Sequence, residues 1–172
     1  MVRNDRPLLM DELFRVLGEH AVEYFVIGGA AVNLHGYTRA TKDLDIVPRP
    51  YVENLTRLHG ALMELRAELH DSGDFRPNEL PELSVEMLSG GGNWCLSTNF
   101  GRLDVLQFQH GVLETDEDVE AMWESSVLVE LPSGPVRFVG YEDLIRMKLG
   151  AGREVDDLDI RAMREAHGED SP

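Results

Sequence analysis

Two aspartates one residue apart, Asp43 and Asp45, stand in an otherwise apolar run with Leu44, Ile46 and Val47. Side chains two apart on a β-strand share a face, so the two acids point one way while Leu44 and Ile46 point the other, into a core. Two carboxylates on one face repel each other unless a cation lies between them, and an oxygen-rich donor set suits Mg²⁺ or Mn²⁺. Upstream, Gly28-Gly29 ends a second apolar run, Tyr24-Phe25-Val26-Ile27. Glycines there let the backbone turn tightly, and the N–H groups that open the next helix point outward, where they can meet a phosphate. The simplest joint reading is a metal-bound nucleoside triphosphate lying between the glycine turn and the aspartate pair.

A third acid, Asp104, interrupts the apolar run Leu103-Asp104-Val105-Leu106. A buried, unpaired carboxylate is costly, so this position calls for an arginine, a backbone donor or a metal. Arg39, Lys42 and Arg49 surround the aspartate pair in sequence, and Lys148 and Arg153 form a second basic pair. The five are candidates for one site; the plain alternative is surface bases balancing surface acids. Asp156 and Asp159 stand one helical turn apart, placed either to hold Lys148 or Arg153 or to favour a helix N-terminus. His35 is open to a ligand or acid–base role and to a structural one. Ser89-Gly90-Gly91-Gly92 lacks the Lys-Ser/Thr of a P-loop and reads as a flexible loop.

The ordered set Gly28-Gly29, then Asp43-Leu44-Asp45, then a third acid from a later strand resembles the nucleotidyltransferase superfamily. Arg39-Ala40-Thr41 before the aspartates is similar to the Arg-x-Thr of its toxin-type, AbiEii-like branch. Met147-Lys148, Ala151-Gly152-Arg153, Asp156 and Asp159 resemble the end of that branch. The resemblance implies an α+β, polymerase beta-like fold: a mixed sheet flanked by helices, with a C-terminal helical pair. It implies metal-dependent transfer of a nucleoside monophosphate from a triphosphate to an acceptor hydroxyl. Asp43, Asp45 and Asp104 would be the catalytic, Mg²⁺- or Mn²⁺-binding acids. Gly28 and Gly29 would seat phosphates, with Arg39, Thr41, Lys148 and Arg153 as further phosphate contacts. The acceptor implied is a tRNA 3′ end or a protein side chain, with an antitoxin as partner. A small-molecule acceptor, as in antibiotic-modifying nucleotidyltransferases, and a non-catalytic nucleotide-binding or interaction domain are the alternatives.

Hydrophobic spacing supplies the elements meant to position these residues. It predicts a helix over 8–20, a strand over 24–27, a short helix over 30–34 closed by Gly36, and the Asp43/Asp45 strand. A long helix follows Pro50 to about residue 69, and an irregular connection spans 70–83 with Gly73, Pro77 and Pro81. Hairpins are expected over 94–108 and 127–139, an acidic helix over 115–125, and a helical pair from 141 to about 166 with a frayed tail beyond. The chain of 172 residues is expected to be a single domain, with a core over about 8–140 and C-terminal helices over about 141–167. Its formal charge of −16 disfavours nonspecific adherence to nucleic acid or anionic lipid. The single cysteine, Cys95, excludes an intramolecular disulfide and fits a reducing, cytoplasmic setting. No membrane-crossing run or secretory signal is expected.

Overall fold

Alternation of buried and half-buried residues organises the sheet. In β2 (Asp43–Pro48) Leu44 and Ile46 are buried while Asp43 and Asp45 are only partly so, and in β5 (Gly101–Leu106) Leu103 and Val105 alternate likewise with Arg102 and Asp104. The computed structural model describes residues 6–70 and 82–169. These two strands run parallel at the centre of a seven-stranded mixed sheet. Its other strands are β1 (Tyr24–Ile27), β3 (Glu68–Leu69), β4 (Asn93–Thr98), β6 (Val127–Leu131) and β7 (Gly134–Phe138), in the order β3-β4-β5-β2-β1-β7-β6. β1 is antiparallel to β2 and parallel to β7; β3–β4, β4–β5 and β6–β7 are antiparallel. β1 is buried along its whole length, as a strand covered on both faces must be. This is the mixed, helix-flanked α+β sheet that the sequence led us to expect.

The helices are α1 (Met10–Glu19), α2 (Gly28–Leu34), α3 (Val52–Glu64), α4 (Val85–Ser89), α5 (Asp116–Ser125), α6 (Tyr141–Ala151) and α7 (Glu154–Ala166). α1 buries Leu13, Phe14, Val16 and Leu17 and packs on β7 and α3, while α3 packs on β2. α2 lies against β1, β2 and α6, and α6 carries α7. α5 is opened by a capping box in which Thr115 and Asp118 satisfy each other's backbone N–H groups.

The long helix expected to reach residue 69 stops at Glu64. Arg66 adopts a left-handed conformation, φ 50°, and the Ala67 N–H bonds the Leu62 carbonyl at 2.9 Å. Leu69, which continues the leucine spacing, instead sits in β3 opposite Leu96. Within the stretch read as an irregular connection, residues 71–81, with Gly73, Pro77 and Pro81, lie outside the described residues. Ser84 caps α4 by accepting from the Met87 N–H, so the triglycine run follows a helix that the sequence reading lacked.

One polar expectation is corrected, and one open reading is decided. Arg49 does not join the aspartate cluster. Its guanidinium pairs with Glu23 and Glu120 and lies over the rings of Tyr51 and Trp123, at 5.0 and 4.7 Å from their centroids. His35 is structural, its Nε2 2.8 Å from the Val139 carbonyl and its ring edge-on to Tyr141. The tail is held through Glu169 rather than frayed: His167 stacks on Tyr141 at 3.9 Å and the Glu169 N–H bonds the Arg164 carbonyl. Residues 170–172 of that tail lie outside the described residues.

Candidate active site

Sheet register brings the acids together. Asp45 is the direct cross-strand partner of Asp104 across β2–β5, and Asp43 is opposite Arg102. On the far side of β5, Cys95 is opposite Asp104 and Ser97 opposite Arg102. Directly opposed residues project from the same face, so the three acids share one face with Arg102, Ser97 and Cys95. Leu44, Ile46, Leu103 and Val105 on the other face are almost wholly buried, and a one-residue slip would expose all of them. Beside the acids opens a cavity of about 830 Å³, and Gly28, Gly29, Arg39, Thr41, Lys148 and Arg153 line it with Asp43, Asp45 and Asp104. The loop after β5 forms another wall, tied to α6 by the Gln109 side-chain amide donating to the Met147 carbonyl at 2.6 Å.

The glycine turn is pressed against the acids. Gly28 has φ +64°, and a Cβ there would lie 2.1 Å from Asp45 Oδ2; at Gly29 it would lie 2.8 Å from Thr41 Oγ1. Only glycine lets α2 begin this close to the aspartate strand. Thr41 Oγ1 donates to the Asp43 carbonyl at 2.9 Å, which pins the start of β2. Gly28→Ala is therefore expected to lower unfolding free energy by about 1–3 kcal/mol, the range for a strained left-handed residue, and to displace Asp45. Denaturant titration of the variant is the check; a stability equal to that of the parent would contradict the contact.

A buried ionic network builds the opposite wall. Asp156 and Asp159 are 0% exposed and Lys148 4%. The Lys148 ammonium reaches Asp156 at 2.9 Å and Asp159 at 2.8 Å. Asp159 also takes both Nε and Nη2 of Arg39, at 2.8 and 2.9 Å, a bidentate pair joining α7 to the loop before β2. Asp156 receives Arg153 Nε at 2.8 Å and accepts the Arg153 backbone N–H at 3.2 Å, so it both holds cations and caps α7. Burial works against its charged form, yet the hydrogen bonds from Arg153 and Lys148 outweigh burial and hold the Asp156 carboxyl below its ordinary value.

The facing acids are compensated only in part. The Asp45 carboxyl is pushed up to about 7, first by burial and then by the charges of Asp43 and Asp104, against which Arg153 and Lys148 act only in part. Asp104 is raised as well, by burial first and Asp43 next, and its Oδ1 is buried without a hydrogen-bond partner. Burial and the same carboxylate push the Cys95 thiol up. Among the described residues no three carboxylate, imidazole or thiol groups close into a metal cage by themselves. That suits a small, hard cation that takes one or two carboxylates and completes its shell with water and phosphate oxygens, and the orphaned Asp104 oxygen is a donor free for it. Arg102 and Cys95 were absent from the sequence-derived set. Arg102 shares Asp104's face by the two-residue period, so it could have been found; Cys95 needed the strand pairing.

No protein-family profile matches the chain, and no curated protein matches it in sequence. Solved structures do. The antibiotic-resistance factor ANT(2″)-Ia in complex with adenylyl-2″-tobramycin superposes with a TM-score of 0.57 at 15% identity, over 93% of this chain and 88% of that one. The lincomycin-bound lincosamide antibiotic adenylyltransferase LnuA gives 0.58 at 15% identity, over 94% and 99%. The chain has the nucleotidyltransferase fold. An antigenic nucleotidyltransferase-like protein from Paracoccidioides brasiliensis matches with a TM-score of 0.53 at 20% identity, over 93% of this chain and 78% of that one. Charge is divided across this cavity: Asp43, Asp45 and Asp104 line it together with Lys148, Arg153 and Arg39, cations that Asp156 and Asp159 already hold.

Proposed function

We propose that this chain transfers a nucleoside monophosphate from a nucleoside triphosphate to an acceptor hydroxyl, releasing pyrophosphate. The observation that carries the reading is the Asp45–Asp104 pairing at the cavity, with one Asp104 oxygen orphaned and a cationic wall opposite. Asp43, Asp45 and Asp104 hold Mg²⁺ or Mn²⁺, which when bound would neutralise charge on the triphosphate oxygens and lower the pKa of the attacking hydroxyl. The backbone at Gly28 and Gly29 seats the terminal phosphates, with Thr41 holding the strand beside them. Lys148, Arg153 and Arg39 are already oriented by Asp156 and Asp159, so they meet phosphate charge with little rearrangement. Asp104, whose Oδ1 has no hydrogen-bond partner, takes the proton of the acceptor hydroxyl as the hydroxyl oxygen attacks the α-phosphorus.

Two acceptor classes have support. The Arg39-Ala40-Thr41 approach to the aspartates and the Lys148–Asp159 ending favour a toxin-type enzyme of the cytoplasm, acting on the 3′ end of tRNA or on a protein side chain and neutralised by an antitoxin. The superposition on two antibiotic-modifying proteins favours a small molecule. Incubating the protein with radiolabelled triphosphates and total cell extract, with and without magnesium, tests both readings. Label is expected in an acceptor fraction only when magnesium is present, and the RNA, protein or small-molecule fraction that carries it identifies the class. Absence of magnesium-dependent label from every fraction overturns the transferase reading.

A further inference from the structure

Phe108 follows the acids along the cavity, yet no step of the proposed mechanism uses it. Asp104, Leu106 and Phe108 line the cavity at every second residue along β5 and just past its end, and Phe108 is 48% exposed. The glycine turn lies in the other direction. β1 is antiparallel to β2 with Ile27 opposite Asp45, so Gly28 continues towards the start of β2, away from Leu106. The backbone under the Phe108 ring is fixed by Asn93, whose Oδ1 accepts the N–H groups of Gln107 and Phe108 at 3.0 and 3.1 Å and whose Nδ2 donates to the Phe108 carbonyl at 2.9 Å. The next residue, Gln109, donates to the Met147 carbonyl of α6, and a Cβ at Gly150 would lie 2.9 Å from Val112 Cγ2 and 3.0 Å from Gln109 Nε2. The loop and α6 therefore abut without a gap, and Phe108 belongs to the same wall as Lys148.

Every nucleobase has a π-face, so stacking on an aromatic ring tolerates any base, whereas discrimination among bases needs donors and acceptors aimed at their edges. The polar side chains at this end of the cavity are engaged elsewhere: the Asn93 amide and the Gln109 amide nitrogen on backbone, and His110 Nδ1 at 2.7 Å from Glu114. Leu106, Leu144, Met147 and Val155 add apolar lining. We propose that Phe108 is the platform for the nucleobase of the triphosphate and that the base is held by its face, so that all four bases are accepted, with the larger purines ahead. The proposal rests on the transferase reading above and adds how the nucleotide is chosen. With terminal phosphates at Gly28 and Gly29 and the α-phosphate at the acids, the nucleoside extends towards Phe108. The rival occupant is a ring of the acceptor; the shared wall favours the nucleotide, because a base joined covalently to phosphates held by α6 reaches a ring anchored on α6.

Calorimetric titration with magnesium, using ATP, GTP, CTP, UTP and inorganic tripolyphosphate, separates the base from the phosphates. The parent is expected to bind the four nucleotides within about tenfold of one another, purines tightest, and ATP about tenfold or more above tripolyphosphate. Phe108→Ala is expected to bring all four nucleotides down to about the tripolyphosphate level, Phe108→Leu, which keeps apolar volume without a ring, to lose nearly as much, and Phe108→Trp to keep parental affinity. Tripolyphosphate itself is expected to shift less than about twofold in each variant, which also shows that the phosphate wall is still folded. Parental nucleotide affinity in Phe108→Ala or Phe108→Leu overturns the proposal, as does a preference of about a hundredfold for one base, the sign of edge readout. A Phe108→Ala protein that binds nucleotides normally but has a raised KM for the acceptor places the ring on the acceptor and overturns it too. A parent that binds tripolyphosphate as tightly as ATP removes this proposal alone; a parent that binds neither removes the transferase reading beneath it.

Discussion

Asp45→Asn is expected to melt about 4 °C or more above the parent protein in metal-free buffer at pH 8 and to lose nucleotidyl transfer by a factor of at least ~10³. Both effects follow from one cause. Burial, with Asp43 and Asp104 adjacent, lifts the Asp45 carboxyl from its ordinary 3.8 to about 7. A folded-state value above the unfolded one means that the native protein favours the protonated acid. The associated stability is complete below about pH 4 and is lost as pH rises through about 7, at up to about 1.4 kcal/mol per unit. Asparagine has no proton to lose, so the two melting curves should converge near pH 4 and separate towards pH 8. Magnesium should reverse the order by stabilising the parent, since a ligand that binds only the native state adds stability by mass action, while the variant gains little. Calorimetry across pH with EDTA or magnesium measures this directly. An Asp45→Asn protein less stable than the parent at pH 8 in EDTA would show that the acids are not in electrostatic conflict.

Much of this site was legible because two-residue alternation carries it. Leu44 and Ile46, like Leu103 and Val105, must face a core, which sends Asp43, Asp45 and Asp104 to one side of their strands. Whether those sides coincide is a matter of strand pairing, and only the parallel Asp45–Asp104 register decides it. Local spacing misled at Leu69, where a leucine in step with α3 serves a strand after a left-handed, non-glycine residue, Arg66, has ended the helix. It misled again at Arg49, four residues past Asp45, because β2 carries the chain away from the cavity to Glu23 and Glu120. The Arg39–Asp159 pair spans 120 positions, so proximity in sequence gave no sign that one aspartate organises both Arg39 and Lys148. The sequence pointed to Asp156 and Asp159 as holders of Lys148 or Arg153; the third cation came from across the fold.

That shared role makes Asp159 a position where a single substitution is costly to the fold. Asp159→Ala leaves Lys148, 4% exposed, with Asp156 alone and strips Arg39 of both its hydrogen bonds to a carboxylate. Removing one member of a buried ion network typically costs about 3–5 kcal/mol, because the remaining charges stay desolvated without compensation. In a chain of this size that corresponds to a fall in melting temperature on the order of 10 °C. Asp156→Ala should cost less: the Arg153 side chain is 69% exposed and can be hydrated, and Lys148 keeps Asp159. Asp159→Asn, which keeps the shape and an acceptor oxygen but not the charge, should fall between parent and alanine. Chemical denaturation of the three variants ranks them, and an Asp159→Ala protein within about 1 kcal/mol of the parent would mean that the network contributes little to stability. If the alanine variant folds at reduced temperature, its KM for triphosphate should rise more than its kcat falls, because Arg39 and Lys148 lose their orientation while the three acids across the cavity are untouched. The carboxylate that joins α7 to the loop before β2 would then act on nucleotide binding solely through the cations it holds.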